Sequence, residues 1–249
     1  MKIIFPELTN NNLADEAVKS FSDIAFIPPD RLDTAIKLLK EGQADSIISG
    51  LDYSSRDVLL AFKSQIPLKS TYFSSCFICQ KDDRIIVIAD GGVIKHPNRD
   101  QLYCIIEDTA KTYQTFTGNQ PRIALLSYST RGSGTNDKSE FENYTYCIQK
   151  ISEQHPDWLI DGETQLDAAV NSRVAEKKSP DSCLKGSANV LITPDINSGN
   201  ILYKSLEQFA GFTIAGPIIQ GFEIPLADLS RGSTVEDIIL TIKVLRSLL

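Results

Sequence analysis

Near the carboxyl end, the run Asp228-Leu229-Ser230-Arg231-Gly232-Ser233-Thr234-Val235-Glu236-Asp237 puts a hydroxyl, a guanidinium and a carboxylate just ahead of an apolar-periodic segment. An arginine beside a glycine at a helix N-terminus suits phosphate, because the first turn's unpaired N–H groups and the helix dipole both favour an anion. The same residues also read as a plain helix start, since Ser233 to Glu236 and Thr234 to Asp237 each have capping-box spacing. A second candidate is Ser127-Tyr128-Ser129-Thr130-Arg131-Gly132-Ser133-Gly134, whose hydroxyls, amides and Arg131 could cradle an anion. It matches neither glycine-rich nucleotide pattern, and a polar loop without a ligand has the same composition. The third, Pro194-Asp195-Ile196-Asn197-Ser198-Gly199-Asn200, leads into a segment carrying Tyr203 and Lys204. Composition alone favours an Asx turn and helix cap there.

Metal and redox chemistry have less to work with. Cys76 and Cys79 form a C-x-x-C with no second pair, and the chain has only two histidines, His96 and His155. A zinc site would lack ligands, so the two thiols read as the lining of an apolar strand. The five cysteines are an odd, scattered set, and the start Met1-Lys2-Ile3-Ile4-Phe5-Pro6-Glu7 is too soon interrupted for a signal peptide. A reducing cytoplasm fits best, and no run of about 18 apolar residues suggests a membrane span. A net charge of -7 without a dense Lys/Arg run argues against nucleic acid.

The elements that position these loops alternate. Strands are expected at 2–6, 44–49, 70–80, 84–89, 122–126, 157–162 and 189–193, and helices at 30–42, 57–63, 99–116, 141–153, 164–177, 199–209 and 235–248. Ser54-Ser55 is a plausible cap for the helix at 57–63. Repeated βα units imply an α/β protein with a mostly parallel sheet and flanking helices, with ligands at the carboxyl ends of strands. At 249 residues the chain suits one large domain or two modest ones.

Read in order, these segments resemble the phosphate acetyltransferase and butyryltransferase family. The resemblance begins at Ile88-Ala89-Asp90 and strengthens over 121–134. It continues through Asp161-Gly162-Glu163-Thr164-Gln165-Leu166-Asp167, Lys178-Ser179-Pro180-Asp181-Ser182, Ala188-Asn189-Val190, the run 194–204 and Gly216-Pro217-Ile218-Ile219-Gln220-Gly221, and ends at 228–237. It implies two α/β domains like those of isocitrate and isopropylmalate dehydrogenases, here 1–72 plus 218–249 (shortened) and 73–217, with the active site in the cleft between them. It also implies a homodimer, and transfer of an acyl group between coenzyme A and phosphate by direct thiolate attack. No tightly bound cofactor or metal is implied, and coenzyme A is a substrate. By the family's motifs, Asp237 would take the thiol proton, Ser230 would orient the reacting groups and Arg231 would hold phosphate. Ser127, Ser129, Thr130, Gly132, Ser133, Asn197, Asn200, Tyr203, Lys204 and Gln220 would line the acyl phosphate pocket.

Two alternatives stand beside the acetyl reading: a phosphate butyryl- or propionyltransferase, and a non-catalytic regulatory relative that binds acyl-CoA or acyl phosphate. The chain departs from the family pattern in a short segment between Glu7 and Gly42, in Leu60 where the family has a cleft arginine, and in Ala227 where an asparagine usually precedes Asp228. Arg56, four residues before Leu60 on the same helical face, is the candidate replacement. An ordinary aspartate lies about 4.6 pKa units below a thiol, an uphill transfer of roughly 6 kcal/mol. A base at Asp237 would therefore need burial, thiolate stabilisation by Arg231, or transfer concerted with attack, all of which place it in a partly dry cleft.

Overall fold

The computed structural model describes residues 1–130 and 138–249, with side chains described except at 138–140. The chain runs β1 (Lys2–Ile4), α1 (Asn12–Val18), β2 (Ala25–Ile27), α2 (Leu32–Lys40), β3 (Ser46–Ser49), α3 (Ser55–Gln65), β4 (Ser74–Lys81), β5 (Arg84–Ala89) and α4 (Arg99–Thr117). It continues with β6 (Arg122–Leu126), α5 (Lys138–Gln154), β7 (Leu159–Thr164), α6 (Leu166–Val170), α7 (Ser172–Lys178), β8 (Val190–Ile192), α8 (Ile196–Ala210), β9 (Thr213–Gln220), β10 (Leu226–Asp228) and α9 (Val235–Ser247). Among the described residues the strands form one ten-stranded sheet in the order β2-β1-β3-β10-β9-β4-β5-β8-β6-β7. The α/β class and the mostly parallel sheet are as expected.

Strand direction decides where the loops go. Pairing is parallel on both flanks but antiparallel between β10 and β9, β9 and β4, and β4 and β5. Three successive reversals are an odd number, so β1, β3 and β10 run opposite to β5, β8 and β6. Their carboxyl-terminal loops therefore leave the sheet in opposite directions.

Apolar side chains fill both faces. One cluster joins Ile3, Cys76, Ile78, Val87, Ile105, Tyr144, Ile238 and Ile242, and the opposite face holds one group around Ile36, Ile47, Val58 and Phe62 and another around Phe77, Cys79, Ile88 and Leu191. Period-2 alternation along β4 thus sends Cys76 and Cys79 to opposite faces, both fully buried. Burial pushes both thiols up, away from the thiolate form that a metal or redox pair would need.

Several elements differ from the sequence expectation. The helix expected over 164–177 breaks at Asn171, whose side chain accepts from the Arg173 and Val174 amides and caps α7. The central strand β9 was not expected, because Gly216-Pro217 interrupts it and proline cannot donate to a ladder. The sheet absorbs the interruption as a bulge: Ile218 pairs with Cys76 and Ala215 with Ile78, leaving Gly216 and Pro217 opposite Phe77 alone. The short elements α1, β2 and β10 were also not expected.

Candidate active site

The carboxyl ends of β1, β3 and β10 meet in one buried corner. Asp228 pairs with Ser49 in the sheet, and the next amide, Leu229 N–H, donates to the Ser49 carbonyl, so the two chains stay together past the strand ends. Gly50 makes that approach possible: it has φ +114°, and a Cβ there would lie 2.4 Å from both Asp228 Oδ1 and the Leu229 carbonyl oxygen. After β1, a single 3₁₀ turn over Pro6–Thr9 carries Glu7 into the same corner. Its Oε1 accepts from Ser49 Oγ at 3.0 Å and from Gly50 N at 2.7 Å.

Two carboxyls thus flank one glycine in the interior. Glu7 is 3% exposed and Asp228 1% exposed. Glu7 Oε2 and both Asp228 oxygens have no hydrogen-bond partner. Burial pushes the Asp228 carboxyl up to about 6 and the Glu7 charge adds to this, while the Ser55 hydroxyl, close by but out of bonding geometry, draws it down.

Helix α3 supplies the outer wall. Ser54 caps it, accepting from Asp57 N at 3.2 Å and donating to Asp57 Oδ2 at 2.7 Å. Val58 and Phe62, one turn apart, are buried, and burying a side chain of phenylalanine size contributes roughly 1.5–3 kcal/mol. The opposite stripe leaves Ser55, Arg56 and Leu60 exposed, with Leu60 54% accessible. Beyond β10 the chain turns sharply: Ser230 Oγ accepts from Gly232 N at 3.2 Å and the Ser230 carbonyl from Ser233 N at 2.9 Å. Ser230 is half-buried and Arg231 exposed, and among the described residues Arg231 has no ion pair.

Asp237 lies in the first turn of α9. It is 3% exposed, and Oδ2 accepts from the Thr234 amide and hydroxyl, each at 2.8 Å, completing the capping box of α9. Its Oδ1 accepts from Ile214 N at 2.7 Å, tying the helix to the start of β9. The setting is dry, and three donors share the carboxylate, two on Oδ2 and one on Oδ1.

The remaining expected residues stand on other elements. Ser127, Ser129, Thr130, Asn197 and Asn200 follow β6 and β8, whose loops leave the sheet in the other direction. Thr130 Oγ1 accepts from Gln165 N, Ser127 Oγ from Ser129 N, and Asn200 donates to the Gly91 carbonyl. Asn197 is exposed in the first turn of α8. Tyr203 is buried and stacked on Phe77 with ring centroids 3.8 Å apart, and Lys204 lies 5.0 Å from the Tyr203 ring. Gln220 is spent inside the protein, accepting from Ser74 and Thr109 and donating to Thr112. Arg131, Gly132 and Ser133 lie outside the described residues.

Sequence reasoning did not bring Glu7, Gly50 and Ser55 together with Asp228, nor show that Asp228 is buried. One clue was present: each follows directly on a short apolar run or, for Ser55, on a cap. No spacing links positions 7, 50, 55 and 228, and only the strand order brings them together.

Comparison with known proteins agrees with this architecture. The chain is 37% identical over 220 residues to the phosphate acetyltransferase of Treponema pallidum, an alignment covering 84% of this chain and 65% of that protein. The chain thus spans a little under two thirds of that relative. A phosphotransacetylase from Streptococcus pyogenes superposes with a TM-score of 0.84 at 26% identity, covering 100% of this chain and 93% of that one. A 4-hydroxythreonine-4-phosphate dehydrogenase from Klebsiella pneumoniae shares the fold, with a TM-score of 0.54 at 12% identity over 98% of this chain and 89% of that one. Residues 3–245 match the phosphate acetyl/butaryl transferase family, and the chain belongs to that family.

Proposed function

We propose that this protein is a phosphate acyltransferase that passes an acetyl group between coenzyme A and inorganic phosphate, reversibly and by direct thiolate attack on acetyl phosphate. The observation that carries the reading is the turn after β10. There the half-buried Ser230 hydroxyl and the exposed Arg231 guanidinium, without an ion pair among the described residues, stand at the carboxyl ends of strands, beside the capped start of α3. A guanidinium matches a phosphate's oxygens as a planar fork, and its charge offsets the negative charge that builds as the carbon–oxygen bond breaks. Ser230 then orients the phosphate, and Arg56 on the neighbouring helix face is placed to meet a second anionic group.

The same reading carries a division into 1–72 plus 218–249 and 73–217, a homodimer, and a cytoplasmic setting. The test is thioester formation from coenzyme A and acetyl phosphate. Wild type is expected to turn over, and Arg231→Ala to lose ~100-fold or more in kcat/KM, the loss of a charge-assisted contact made in the transition state. Thioester formation that is indifferent to Arg231→Ala would sink the assignment of phosphate to this turn. Butyryl phosphate replacing acetyl phosphate as the faster substrate would move the acyl preference.

A further inference from the structure

The turn that presents Ser230 and Arg231 is held at its start by backbone alone. Asp228 opens it, yet among the described residues both oxygens of that buried side chain lack a hydrogen-bond partner. The end of β10 is fixed instead by the sheet pairing of Asp228 with Ser49 and by the bond from Leu229 N–H to the Ser49 carbonyl at 2.5 Å. Where Ser49 lies therefore decides where Ser230 and Arg231 begin.

Ser49 and Gly50 are in turn held from a third strand. Glu7, carried in by the 3₁₀ turn after β1, is 3% exposed, and its Oε1 accepts from Gly50 N at 2.7 Å and from Ser49 Oγ at 3.0 Å. Gly50 packs so closely on the neighbouring chain that a Cβ there would lie 2.4 Å from Asp228 Oδ1 and 2.7 Å from Leu229 N, which leaves no slack between the two. The same glycine opens the connection to the Ser54 cap of α3, the helix that carries Arg56.

Resting on the acyltransferase reading, we infer that Glu7 is a positioning residue that sets the Ser230–Arg231 turn and the start of α3 relative to one another through Ser49 and Gly50. The Ser49 carbonyl passes the position of the β3 end to Leu229, next in the chain to Ser230, and Gly50 passes it toward Arg56. The acceptor rather than the charge carries this role, because both bonds run to Oε1 while Oε2 has no partner. Misplacing a reacting group by about 1 Å can lower a rate on the order of 100-fold, so a buried side chain that touches no substrate can still govern turnover.

The test is kcat/KM for thioester formation from coenzyme A and acetyl phosphate in wild type, Glu7→Leu, Glu7→Gln, Arg231→Ala and the double variant Glu7→Leu/Arg231→Ala, with a melting curve and amide exchange for each. Glu7→Leu removes the acceptor and should lower kcat/KM by ~10-fold or more, with faster exchange at Leu229 and Gly232 as well as at Gly50. Glu7→Gln keeps a carbonyl oxygen for Ser49 and Gly50 and should recover most of that loss. In the Arg231→Ala background Glu7→Leu should lower kcat/KM by only ~3-fold or less, because residues that act as one unit do not add. A folded Glu7→Leu with undiminished kcat/KM, no recovery in Glu7→Gln, equal losses with and without Arg231, or exchange that quickens at Gly50 but not at Leu229 overturns the inference and leaves the acyltransferase reading intact. Wild type that turns over no acyl phosphate overturns both. Should Glu7→Leu fail to fold, Glu7→Asp, which keeps the charge and withdraws the acceptor by one methylene, carries the same expectations.

Discussion

Asp90 and Asp228 make an instructive pair. Each directly follows or closes a buried strand, β5 and β10, and each carboxyl is at most 3% exposed. Asp90 accepts four hydrogen bonds, from the Ser75 hydroxyl and from the Gly92, Val93 and Ile94 amides at 2.9, 3.1 and 2.9 Å. Burial raises its carboxyl, and those four donors pull it back. Asp228 has none in bonding geometry, and burial with the Glu7 charge raises its proton affinity against the Ser55 hydroxyl alone. A filled buried carboxylate shapes a loop, whereas an unfilled one keeps its appetite for a proton.

That contrast can be broken at three points. The largest effect is expected from Gly50→Ala, where a methyl would overlap Asp228 and the Leu229 backbone at a φ of +114°; unfolding in denaturant should show a loss above about 3 kcal/mol. Asp90→Ala leaves three amides and a hydroxyl without their acceptor, so a loss of about 2–3 kcal/mol is expected, with faster amide exchange confined first to residues 92–94.

Asp228→Asn is the smallest in stability and the most telling in sign. Because the folded carboxyl sits near 6, above the unfolded value of about 3.9, the folded state binds the proton more tightly. Its stabilisation is complete below the unfolded value and is lost as pH rises through 6. Asp228→Asn should therefore flatten the fall in melting temperature between pH 4 and 7, by an amount on the order of 2 kcal/mol. A wild-type slope left unchanged by the substitution would remove the contrast with Asp90.

Much of this was legible in the chain itself. The βα alternation, the Ser54 cap, the capping box at Thr234 and Asp237, and the turn at Ser230-Arg231 all depend on neighbours within four residues, and local chemistry states them plainly. What escaped depends on residues far apart. The antiparallel centre requires β9, and Gly216-Pro217 hides β9 until the bulge opposite Phe77 shows how a strand can contain it. Once β9 is in place the two halves must run in opposite directions, so their strand-end loops leave the sheet at opposite edges. Likewise Asp237 looks free in a sequence, because its third donor, Ile214 N, is 23 residues away.

The alternation of β4 has a practical outcome as well. With Cys76 and Cys79 sealed on opposite faces, Cys147 buried and Cys104 half-covered, Cys183 is the exposed sulfur. Alkylating reagents should mark that position first in the native state, half-covered Cys104 more slowly, and reach Cys76, Cys79 and Cys147 only on unfolding. The protein thus carries a built-in attachment point for a dye or spin label, and a chemical clock for its own opening.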